Sequence, residues 1–230
     1  MKTYVLNYSS RENTATVVNV DGNTIELYDY IISQRYYEEQ PGITANEFLD
    51  ALNTMKGDIT VRINSRGGEV GNALSIYQRL REHNGTVKCI VDGYAYSCAS
   101  WILLAGDERT INIGGLVMVH NPMMYPEIRK ESDFENIRNQ WTAHRDAINA
   151  IITDRTGLPS DTVKNMMENE TFMTANQAIE NKFCNSIQEI IRPVNSAVRN
   201  AMPEEVRNSF PVDCSDLYSR ALRLRADNLK

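Results

Sequence analysis

The chain has 230 residues, 42% hydrophobic and 23% charged, enough to bury a sizeable core. Its net charge of -6 argues against a general nucleic-acid binder, which carries a basic stripe. No run of about 18 apolar residues is present for a membrane span, the opening MKTYVLNYSSRENTATVV lacks the apolar centre of a secretory signal, and no GxxxxGK[ST] run supports ATP hydrolysis by the chain itself.

Residues 3–8 and 14–20 alternate as strands do, and Asp21-Gly22-Asn23 supplies a turn before TIELYDYII, consistent with a hairpin. ITANEFLDALNTM opens with Thr44 and Glu47 at capping-box spacing, and Phe48, Leu49, Leu52 and Met55 then share one helical face. DITVRI reads as a strand, NSRGGEV as a tight polar turn, and VGNALSIYQRLREH as an amphipathic helix ended by Asn84-Gly85. TVKCIV is a further strand, DGYAYS a turn into the apolar helix WILLAG, and RTINI and LVMVH are strands again. A long polar helix is expected over 131–155, broken at Gly157-Leu158-Pro159, with Ser160 as the cap of a short helix. TANQ at 174–177 repeats the capping-box spacing, and SIQEII is a last strand.

Strands and helices in this alternation predict an α/β domain with crossover connections over residues 1–192. Residues 193–230 are more charged and are interrupted by Pro203 and Pro211, so a helical or partly disordered extension is expected there. Cys89, Cys98, Cys184 and Cys214 lack CxxC spacing and read as reduced thiols of a cytoplasmic protein, not as a disulfide frame or zinc site. No metal or other cofactor is expected.

Three places along the chain carry chemistry. His120 ends the strand LVMVH ahead of Asn121-Pro122, where an imidazole can face a cleft, whereas His83 and His144 sit in polar helices and read as solvated. A satisfied structural histidine would look the same. Gly67-Gly68 joins a strand to a helix and leaves main-chain amides uncovered at the helix start, as an ordinary tight connection also would. Ser97 lies where strand gives way to helix, so its hydroxyl sits in the positive field of the first turn and the Cys98 amide points to any oxygen bound there. A plain N-cap accounts for Ser97 alone, but not for its pairing with a glycine turn and a strand-end histidine.

INSRGGEVGNALSIYQRL, GYAYSCASWILLAGDERTI, LVMVHNP and ETFMTANQAIENKFCNSI follow one another in the chain. They resemble, in order, the I-N-S-P-G-G-x-V turn, the G-x-A-x-S-x-[AG]-[AS] nucleophile segment, the V-M-I-H-x-P strand and the D-x-F-[ML]-[ST]-A segment of the Clp protease proteolytic-subunit (ClpP-like) family of serine peptidases. The resemblance runs from about residue 25 to residue 190. It implies a ClpP/crotonase-like repeated β-β-α superhelix with a long protruding helix, assembled into homo-oligomeric rings. It also implies a triad of Ser97, His120 and Glu170, with Gly68 and Cys98 amides as the oxyanion hole, acting on protein or peptide substrates.

Arg66 stands where the family has proline, and Lys182 and Asn185 where it has glycine and aspartate. Glu170 stands at the aspartate of the triad; its extra methylene moves the carboxylate by about 1.5 Å. Glu168 is an alternative partner for the histidine, and a surface carboxylate near a helix start is the plain reading of Glu170.

The D-I-Y-S-R-L-L segment with which housekeeping members engage an ATPase ring is not found, which leaves an ATPase partner unsupported. IELYDYI and PGITANEFLDAL are more similar to the Clp-related head-maturation proteases of tailed bacteriophages and prophages, which commonly carry E-T-[WF]-[ML]-[ST]-A. That likeness implies cleavage of capsid or scaffold proteins. Three other readings stay open: a crotonase-fold acyl-CoA enzyme, a serine–lysine peptidase related to signal-peptide peptidase A, and an inactive assembly scaffold.

Overall fold

The computed structural model describes residues 20–37 and 40–188. The strand expected at 3–8, nearly all of that at 14–20 and the extension at 193–230 lie outside the described residues. Val20–Asp21 (β1) turns at Gly22, with φ near +60°, into Thr24–Leu27 (β2), and the two pair antiparallel as the predicted hairpin. Ala45–Asn53 (α1) follows, its Thr44–Glu47 capping box formed in both directions.

Ile59–Ser65 (β3), Val70–Arg81 (α2), Val87–Tyr96 (β4) and Cys98–Ala105 (α3) build the centre. Glu108–Ile111 (β5), Leu116–Val119 (β6), Ser132–Thr156 (α4) and Ser160–Glu168 (α5) come next, then Thr171–Thr174 (β7), Ala175–Glu180 (α6) and Ser186–Ile187 (β8). The sheet runs β1-β2-β3-β4-β5-β8, with β6 on β4 and β7 on β6. Apart from the antiparallel β1/β2 and β6/β7 pairs, every pairing is parallel. The expected α/β class with helical crossovers is therefore present.

Burial alternates along β3: Ile59, Val61, Ile63 and Ser65 are buried and the residues between them half-exposed. That alternation marks a sheet whose two faces differ in environment. α3 is buried along its whole length, as a helix apolar on all sides must be, and it packs against α2 and β4. Its last carbonyls meet three arginines. Arg155 donates to Leu104 and Gly106, Arg81 to Ala105, and Arg109 to Gly106. These cations oppose the negative end of the helix. Cys89, Cys98 and Cys184 are buried free thiols, and Cys214 lies outside the described residues.

Three expectations need correction. The turn expected at DGYAYS is strand as far as Tyr96. β4 pairs β5 through Lys88–Val91 and then β6 through Tyr94–Tyr96, so residues 92 and 93 form a change of partner inside one strand. Gly93 suits that point because a Cβ there would lie 2.4 Å from Asn64 Oδ1. Ser160 does not cap α5. Pro159 takes the cap position, and the Ser160 hydroxyl donates to Asn149 Oδ1 at 2.7 Å while Asn149 returns a bond to the Ser160 carbonyl. Lastly, β7 was not expected as a strand.

Arg109 is buried and joins two parts of the chain: besides Gly106, its guanidinium donates to the Phe183 and Lys182 carbonyls. Lys182, where the resembled family has glycine, takes the left-handed φ of 61°. Arg109→Met leaves these carbonyls without their donor and is expected to lower unfolding stability by about 3 kcal/mol. An unchanged urea midpoint for this variant would count against that role.

Candidate active site

Three strands end together. β6 lies parallel to β4, with Tyr96 opposite Met118, and the Ser97 amide donates to the Met118 carbonyl at 2.9 Å. β7 lies antiparallel to β6, with Val119 opposite Thr171, so the next pair in the same register is His120 and Glu170. Ser97, His120 and Glu170 are thus the first residues past three adjacent strand ends.

Ser97 Oγ and His120 Nε2 are 2.7 Å apart, within reach for proton transfer. Ser97 has φ 54° and ψ −128°, and its side chain makes no capping bond to α3. The plain N-cap is therefore excluded: the backbone is strained and the hydroxyl faces the imidazole. Such a conformation persists only where the surroundings impose it. Here Ser100 imposes part of it, donating to the Ser97 carbonyl from both its amide (3.0 Å) and its hydroxyl (2.6 Å).

The glycine turn closes on the same point. Gly67, at φ 88°, touches the serine turn so closely that a Cβ would lie 2.8 Å from the Ser97 Cβ and 3.0 Å from the Cys98 nitrogen. From behind, Ile31 donates to the Gly67 carbonyl and accepts from Glu69, each at 2.8 Å. Both Ile31 bonds skip Gly68, so its amide faces away from Ile31. A Cβ on Gly68 would fall 2.0 Å from the Ile31 carbonyl oxygen, which leaves glycine as the only residue for the position.

The Cys98 side chain is a buried free thiol. Burial pushes this thiol up to about 12, and the main-chain amides of Gly68 and of Cys98 itself act in the opposite direction. A buried, protonated thiol is no nucleophile. Burial also lowers the His120 pKa, and the negative charge of Glu170 partly offsets this.

Glu170 is exposed, sits at a left-handed φ of 46°, and makes no hydrogen bond to His120. Glu168 does not reach the imidazole either: it accepts from Asn121 Nδ2 at 2.6 Å. Arg66 lies 5.7 Å from the Tyr94 ring centroid. Beside Gly68 opens a cleft of about 490 Å³ whose lining includes Val70, Met123, Met124, Ile137 and His144. His144 is half-exposed and lines this open cleft. Asn121 and Ser100 were not singled out by sequence as parts of the site; Asn121's position directly after His120 was the available signal.

A hydroxyl in contact with an imidazole, a carboxylate in the next register position and a glycine turn set close against the Cys98 amide are parts that acyl transfer can use. The Clp protease family pattern matches residues 37–190. The chain is 33% identical over 135 residues to the ATP-dependent Clp protease proteolytic subunit of Ligilactobacillus salivarius (strain UCC118), over 58% of this chain and 68% of that protein. The chain belongs to the Clp protease family, a family of peptidases.

Because Ser97 holds a conformation that glycine adopts freely, Ser97→Gly is expected to be more stable than Ser97→Ala by about 1 kcal/mol. Thermal unfolding of the two variants side by side checks this; equal midpoints would mean that the turn relaxes once the hydroxyl is gone.

Proposed function

We propose that the chain is a serine endopeptidase in which Ser97 attacks the scissile carbonyl. His120 takes the Ser97 proton and passes it to the leaving amine, and Glu170 holds the imidazole tautomer. The Gly68 and Cys98 amides receive the oxyanion. The observation that carries this reading is the 2.7 Å contact between Ser97 Oγ and His120 Nε2 at the start of a buried helix. A chain segment laid in the cleft beside Gly68 brings its carbonyl to the two amides. The surrounding fold is read as the repeated β-β-α superhelix of the family, with α4 as the helix that joins rings and 193–230 as a separate extension.

Substrate and setting are part of the same proposal. IELYDYI, PGITANEFLDAL and the glutamate at 170 favour the phage and prophage head-maturation branch. The substrate is then a capsid or scaffold protein, cut by a homo-oligomeric ring in the bacterial cytoplasm without an ATPase partner. Co-expression with the neighbouring capsid gene, comparing wild type and Ser97→Ala and mapping the cut ends by mass spectrometry, tests substrate and activity together. One observation favours the second reading, an inactive assembly scaffold: Glu170 is not bonded to His120.

A fluorophosphonate probe separates the two. Labelling at Ser97, abolished in Ser97→Ala, is expected for the peptidase; an intact ring that takes no label points to the scaffold. The pH profile tests Glu170. His120 works as a base in its neutral form, so activity rises with pH through its pKa. Burial sets that pKa below the ordinary value, and Glu170 raises it. Glu170→Gln removes the raising charge, so the acid limb is expected to move to lower pH while kcat falls about 10–100-fold. An unmoved acid limb would remove Glu170 from the proton relay.

A further inference from the structure

We infer that Glu168 and Asn121 form a clamp that keeps Glu170 beside His120, with Glu168 a positioning residue and not the orienting carboxylate itself. The inference rests on the reading of Ser97, His120 and Glu170 given above.

The β6/β7 ladder ends at Val119 and Thr171, one pair short of His120 and Glu170. Past that point the two chains need another tie. Glu170 in particular holds a left-handed backbone that is unfavourable for a non-glycine residue. The tie is a single carbonyl. Met167 O accepts from the Asn121 amide at 3.1 Å and from the Glu170 amide at 3.4 Å, so it joins the residue after the histidine to the glutamate.

Asn121 Nδ2 adds a second bond, donating to Glu168 Oε2 at 2.6 Å. The amide orientation follows from charge: turned over, Asn121 would set its oxygen against the carboxylate. In the orientation seen, Asn121 Oδ1 is buried with no partner, so the side chain gives up one bond to keep the other. The carboxylate acceptor makes that remaining bond the stronger kind. Glu168 is thereby occupied at the wall of the turn, and Glu170 is the carboxylate whose charge reaches the imidazole.

Loss of the clamp frees the 167–170 turn, and the Glu170 charge drifts from His120. The signature is a lower kcat with little change in KM, together with an acid limb displaced to lower pH. Two variants separate the hydrogen bond from the charge. Glu168→Gln removes the charge but keeps an acceptor for Asn121; Glu168→Ala removes both. Glu168 is exposed, so both variants should fold, and thermal unfolding checks that they do.

Peptide hydrolysis by the full chain is measured across pH for both variants, alone and with Glu170→Ala. Glu168→Ala is expected to lose about tenfold in kcat relative to Glu168→Gln, with its acid limb lower. Glu168→Gln should stay within about threefold of wild type. In the Glu170→Ala background the loss from Glu168→Ala should vanish, since the two act as one unit. Equal kcat and equal acid limbs for the Gln and Ala variants would overturn the clamp. So would a loss that persists without Glu170, which is the behaviour of a carboxylate acting directly on His120. Wild type and Ser97→Ala run alongside: hydrolysis that does not depend on Ser97 refutes the site reading, whereas Ser97-dependent hydrolysis with equal Glu168 variants refutes the clamp alone.

Discussion

The register of β6 between its two neighbours decides where the chemistry-bearing side chains go. On one flank the parallel pairing with β4 brings the residue after Tyr96 beside the end of β6; on the other the antiparallel pairing with β7 sets position 170 opposite position 120. A slip of one residue on either flank would turn the histidine to the other face of the sheet. The Ser97–His120 contact is a product of backbone hydrogen bonding over many residues. The two side chains could not secure it by themselves.

The backbone around Ser97 is held from several directions. The β4/β6 ladder fixes the approach to the serine, Ser100 binds its carbonyl, and the Gly67 turn packs so close that no side chain fits between them. At the far end of α3, Arg81, Arg109 and Arg155 bind the terminal carbonyls. The helix is therefore anchored at both ends and buried along its sides.

Much of this was legible in the sequence where one residue type has one physical use. Thr44 and Thr174 were read as caps because a threonine followed three residues later by Glu or Gln forms a reciprocal bond, and both boxes are formed. Ser97 and His120 stood out because each lies at a strand's end, the serine before a helix and the histidine before a turn. The rest was hidden for identifiable reasons. Residues 92–96 carry tyrosines and a glycine where a buried strand shows valine and isoleucine, so the second half of β4 reads as loop. β7 is four residues long, and its end doubles as a helix cap. Polar helices such as α4 do not declare which face meets the protein, so the cleft that His144 lines was not readable from sequence. Asn121 and Glu168 are 47 positions apart, beyond any local pattern.

β4 changes partner midway. Its first half is registered against β5 and its second half against β6, and residues 112–115 merely bridge the two. Ile113 is exposed there, and Gly114 has open space around its Cα. Asn112 ties the start of the bridge to β4, its amide donating to the Val91 carbonyl and its side chain to Asp92. Beyond Asn112, the exposed tip at Ile113-Gly114 is therefore where this crossover has room to take up extra length, since nothing packs on it.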